Sequence, residues 1–121
     1  MGLPQEDVLA DFRPYEDLPA LSLDERGMIR DCNRAAERLS GYFRGELIWR
    51  HVSLLLPELA GSSLLPGGSL NPKLSFLCRC GHLFHLHDRV GRCMNSELHL
   101  VELGNSGRRT VRLLVRPVTH Q

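Results

Sequence analysis

Apolar and polar positions change rhythm three times along this chain. Two short apolar segments, Pro19 to Leu23 and Met28 to Cys32, flank Asp24-Glu25-Arg26-Gly27. The closing glycine supplies the positive φ that a short hairpin loop needs, so the two segments are expected to pair as antiparallel strands. Asn33 follows at once, ahead of Arg34-Ala35-Ala36-Glu37-Arg38-Leu39. Its side-chain oxygen can accept a bond from an orphan amide of a first helical turn, which makes it an N-cap. Ala35, Ala36 and Leu39 share one face at helical spacing, Ser40 ends the helix, and Gly41 stands where a left-handed residue closes it.

The second rhythm is helical and broken. Phe43, Leu47, Ile48, Val52, Leu55 and Leu56 predict one or two short helices between Tyr42 and a stop at Pro57. Ala60 to Asn71 is rich in Gly, Ser and Pro and reads as a loop. Pro72 to Cys80 suits a further helix: proline is tolerated in a first turn, Leu74, Leu77 and Cys78 recur at helical spacing, and Gly81 ends it.

The third rhythm is period two. Phe84 and Leu86 alternate with His85 and His87, and Asp88 to Gly91 offers a turn. A mostly apolar strand runs from Glu97 to Leu103. A strong turn signal covers Gly104 to Gly107, and from Thr110 to Val118 the residues Val111, Leu113 and Val115 alternate against Arg112, Leu114 and Arg116. Two strands, several short helices and three more strands predict an α+β domain, an antiparallel sheet with its helices on one face. Residues 1–17 are expected to form an N-terminal cap or tail, in which Val8, Leu9 and Phe12 would share a helical face, and residues 18–121 the domain.

Composition narrows the function. With 121 residues, 42% hydrophobic and 24% charged, the chain matches an ordinary single globular domain and neither a disordered nor a fibrous one. A net charge of +1 with scattered arginines provides no field for nucleic acid. No apolar run approaches the roughly 18–20 residues that cross a bilayer, so a cytoplasmic location is expected. Cys32, Cys78, Cys80 and Cys93 are then read as reduced thiols. There is no phosphate-binding glycine loop, nucleophile elbow or suggestive carboxylate pair, and no enzyme is expected.

The turn Asp24 to Gly27, the run N-R-A-A-E-R-L-S-G-Y from Asn33 to Tyr42, G-E-L-I-W from Gly45 to Trp49 and the hairpin pattern from Leu83 to Val118 together resemble a PAS domain. No one of these is specific; their order and spacing are. The resemblance implies a five-stranded antiparallel sheet with short helices on its inner face, a small cavity between them, and a sensory or regulatory role in signal transduction. It also implies action by binding a small ligand, by homodimerisation, or both, with the signal passed to a partner or effector. The alternative is a ligand-free dimerisation module.

Family members that form a flavin adduct carry an Asn-Cys-Arg-Phe type motif, which this sequence lacks. Others hold haem through a histidine on the helix before the third strand. Here Pro72 to Cys80 contains none, and His51 and His82 lie off that position, so haem is not expected. Phe43, Trp49, Phe76 and Phe84 are the candidate aromatic lining of a pocket, with His99 or Arg112 as polar anchors. Val8, Leu9, Phe12, Leu114 and Val118 are the candidate dimer contacts. Cys78, Cys80, His82, His85 and His87 form the densest cluster of ligand-type residues, but their spacing fits no usual zinc pattern, and no metal is expected. Glu97 and Glu102 are expected to pair across strands with Arg112 or Arg116.

Overall fold

The computed structural model describes residues 18–61, 63–66, 69–105 and 108–118. Strands β1 (Ala20–Leu23) and β2 (Ile29–Cys32) form the first hairpin. In its turn Asp24 Oδ1 accepts from the amides of Arg26 and Met28 at 2.9 and 3.0 Å. Gly27 takes φ 83°, where a side chain would be strained. Helix α1 (Arg34–Ser40) begins at Asn33, whose side chain accepts from the Ala36 amide, and closes at Gly41 with φ 80°.

The next stretch holds α2 (Arg44–Leu47) and two 3₁₀ turns, Val52–Leu54 and Pro57–Leu59. Pro57 therefore opens an element instead of stopping one. The ring pre-sets the φ of a first turn and costs no amide that would have been bonded there. Helix α3 (Pro72–Arg79) is capped by Asn71, whose Oδ1 accepts from Lys73 at 2.9 Å.

Three strands follow: β3 (Phe84–His87), β4 (Cys93–Asn105) and β5 (Arg108–Pro117). β4 begins four residues before the apolar run that marks it in the sequence. Ser96 is polar yet fully buried, and it faces inward opposite Phe84 on β3 and Pro117 on β5. The five strands make one antiparallel sheet in the order β2-β1-β5-β4-β3. First and last hairpins are thus joined through the central pair β1 and β5, with Leu21 opposite Leu113 and Leu23 opposite Val111.

Alternation along the strands sorts the two faces. Inward go Leu21, Leu23, Val111, Leu113, Val115, Leu98, Phe84 and Leu86, which meet Ala36, Leu47, Val52, Leu55, Leu56, Leu59 and Leu74 from the helical segment. Each leucine or phenylalanine so removed from water stabilises the fold by about 1.5–3 kcal/mol.

One continuous strap, residues 48–59, crosses this inner face and bonds to both border strands. At β2 the Ile29 amide donates to the Arg50 carbonyl at 2.8 Å, and the Trp49 amide donates to the Ile29 carbonyl at 2.7 Å. Met28 and His51 form an antiparallel bridge beside them. At β3 the His87 amide donates to the Leu55 carbonyl at 2.7 Å, and the His85 amide to Glu58 Oε2 at 2.8 Å. Part of each border strand's edge is thereby occupied from within the chain.

Candidate functional site

Small side chains on β1 shape an open hollow on the outer sheet face. Ala20 and Ser22 point to the outer face, with Arg112 and Leu114 on β5 to one side and Asp31 and Cys32 on β2 to the other. The longer neighbours leave a shallow hollow of about 230 Å³, closed at one end by Asn33. Further along the same face Val101 pairs with Arg112 and Leu103 with Thr110, while His99 stands opposite Leu114. Val101 and Leu103 are 43% and 41% exposed, whereas Leu114 is buried.

Charges border this apolar stripe in pairs. Arg116 bonds Glu97 across the strands at 3.0 Å, as the sequence suggests for that glutamate. Glu102 pairs instead with Arg109 at 2.9 Å, because it alternates to the other face from Arg112 and Arg116. Asp31 is held below the usual carboxylate range, chiefly by the hydrogen bond from Arg44 Nε at 2.8 Å. Beside it the Cys32 thiol is pushed up, by burial first and then by the charges of Glu37 and Asp31. The thiolate, the reactive form, is therefore disfavoured there.

Between helices and sheet the described residues pack closely. The hollow there, among Pro19, Leu21, Ala36, Leu39, Ser40, Leu55, Leu86 and Val115, amounts to about 10 Å³. That is about the room of a single water molecule, not of a ligand.

The expected aromatic lining is not assembled around it. Phe43, Trp49 and Phe76 are 73%, 59% and 57% exposed, and only Phe84 is in the core. Phe43 precedes α2, where its amide donates to Glu46 Oε1 at 2.9 Å while its ring projects outward. Phe76 lies on α3 off the stripe that Leu74, Leu77 and Cys78 turn inward. Trp49 is the one described non-glycine residue with positive φ, 69°, and its ring lies beneath the Arg30 guanidinium, 4.0 Å from the centroid. His99 and Arg112 face outward and cannot anchor anything under the helices.

Of the dimer-contact candidates, Leu114 lies on the outer face and half-buried Val118 just beyond β5, its amide donating to the Asn95 carbonyl at 2.8 Å. Val8, Leu9 and Phe12 lie outside the described residues. The cysteine–histidine cluster does not converge: His85 and His87 point to the outer face and Cys80 is exposed. Among the described residues no three His, Cys, Asp or Glu side chains are placed to share a metal ion. His82 and His85 bond instead to Glu58, which the sequence did not single out, since it stands 24 and 27 residues away. His51 Nδ1 is engaged by Ser53, accepting its amide at 3.1 Å. Among the described residues no helix is long and apolar enough to cross a membrane.

No protein-family model and no curated protein matches the chain. Solved structures do. A PAS domain from a two-component sensor histidine kinase is 17% identical, with 95% of this chain and 98% of that one covered at a TM-score of 0.66. A PAS domain from Colwellia psychrerythraea is 18% identical, with 93% and 98% covered, also at 0.66. The PAS domain of nitrogen regulation protein NR(II) from Vibrio parahaemolyticus is 19% identical, with 83% and 88% covered at 0.57.

Proposed function

The chain has the PAS-domain fold, and from that premise we propose that it is a cytoplasmic sensory or regulatory module of signal transduction that acts by association, not by catalysis. Its outer sheet face pairs with a second copy, and a change at that contact is passed to a partner or effector. The observation that carries this reading is the narrowness of the hollow found between helices and sheet among the described residues, about 10 Å³, which favours association over ligand binding. What supports the choice of face is the strap. It bonds Ile29 on β2 and His85 and His87 on β3, so parts of both border strands are already engaged within the chain. On the outer face Ala20, Val101 and Leu103 place apolar groups between paired charges.

Light scattering coupled to size exclusion tests the reading. The native protein is expected to run as a dimer, and Val101→Glu with Leu103→Glu as a folded monomer. A monomeric native protein, or a dimer untouched by both substitutions, overturns it. Native mass spectrometry separates the rival: a retained small molecule would restore the ligand-sensor reading. Charged replacements at Leu9 and Phe12 ask separately whether the N-terminal residues take part.

A further inference from the structure

Glu58 sits at the far end of the strap and gathers bonds from two elements. Its Oε2 accepts the His85 amide at 2.8 Å and faces His85 Nδ1 at 3.0 Å, and its Oε1 faces His82 Nε2 at 3.2 Å. His85 belongs to β3 and His82 to the turn after α3, so one carboxylate joins three segments distant in sequence. From these elements His82 and His85 are the titratable groups that face it; His87 sends its amide to Leu55. Among the described residues no arginine or lysine is paired with Glu58.

We propose that Glu58, His82 and His85 form a proton-responsive clasp that sets how firmly the strap holds the outer border of β3. With both imidazoles neutral, each has one N–H to give, and the geometry directs it to the carboxylate: Nε2 of His82 and Nδ1 of His85. Histidine is the side chain that changes charge in the physiological range. When both rings take up protons, the trio goes from one negative to one positive charge, and both bonds to the carboxylate become hydrogen-bonded ion pairs, which strengthens them. Acidification therefore tightens the clasp. Burial pushes the Glu58 carboxyl up, but the His85 amide and the two imidazoles outweigh it and hold it below the usual range, so the acceptor is a carboxylate.

The bonds tie down the end of a segment whose Leu55, Leu56 and Leu59 are buried in the core. Proton uptake at the surface thus reaches both the edge strand and the packing beneath it.

The test compares the native protein with Glu58→Gln, and with His82→Gln plus His85→Gln, at about pH 7.5 and about pH 5.5. The melting temperature of the native protein relative to either variant is expected to rise by about 2–5 °C on acidification. Amide exchange at His85 and His87, corrected for its intrinsic pH dependence, is expected to slow in the native protein and not in Glu58→Gln. An equal pH response of melting and exchange in native and variant proteins overturns the proposal.

Discussion

Asn33 and Ala20 exchange hydrogen bonds. The Asn33 amide donates to the Ala20 carbonyl at 3.1 Å, and the Ala20 amide donates to Asn33 Oδ1 at 3.0 Å. The same oxygen accepts the Ala36 amide at 2.9 Å, while Nδ2 donates to the Leu18 carbonyl at 2.8 Å. One side chain thus joins the end of β2, the first turn of α1 and the entry into β1. Asn33→Ala removes a helix cap together with two further partly buried bonds, and is expected to cost about 2–3 kcal/mol in urea unfolding. Asn33→Asp keeps the acceptor but turns the donor on Leu18 into a repulsion, so its cost should fall in between. A loss no larger than that of a simple cap would show that the Leu18 and Ala20 bonds contribute little.

Trp49 is held in the left-handed region by its amide bond to Ile29, with Arg30 stacked on its ring. An L side chain there costs about 1–2 kcal/mol, and an exposed cation–π contact offsets about 0.5–1 kcal/mol of it. Trp49→Gly is therefore expected to be about 1 kcal/mol more stable than Trp49→Ala, the reverse of the usual order. Urea midpoints of the two variants decide it; equal midpoints would mean that the backbone relaxes out of the left-handed region.

A Cβ on Gly27 would lie 2.8 Å from His51 Nε2, at a φ of 83°. Gly27→Ala combines a clash with backbone strain and is expected to cost about 2 kcal/mol. Removing the ring in Gly27→Ala with His51→Ala leaves the strain alone, so the pair should be non-additive. A double-mutant cycle by chemical denaturation measures this directly; strict additivity would count against the contact.

Acid should destabilise the domain through identified carboxylates. Burial pushes Asp88 up, but the Arg92 amide at 2.8 Å and Nε at 3.0 Å outweigh it and hold it below its ordinary range. Glu46 is lowered by the Phe43 amide and then by Arg89, and Asp31 by Arg44. A carboxyl group depressed in the folded state contributes stability above its unfolded value, near about pH 4, and loses it as pH falls through the folded value. Unfolding midpoints measured below about pH 4 are expected to fall more steeply for the native protein than for Asp88→Asn. Parallel slopes would remove Asp88 from the account.

Most of the architecture was legible because local signals agreed with it. Asp24 to Gly27 carries turn chemistry, Asn33 and Gly41 cap a helix between them, and Val111, Leu113 and Val115 keep a strict alternation. The aromatic residues misled because size alone says nothing of direction: Phe43 stands outside the inward-facing positions, Phe76 off the helical stripe, and Trp49 in a backbone conformation that no local pattern signals. Ser96 and Glu58 went unread for another reason. Their positions depend on partners such as Phe84, His82 and His85, brought near only by the fold, and hydropathy carries no trace of such meetings.

The strap carries a liability as well as a function. Because one run of chain is bonded to both border strands, a single proteolytic nick within it is expected to loosen its hold on both while leaving all five strands paired. Nicked molecules are then expected to polymerise into cross-β fibres before they melt.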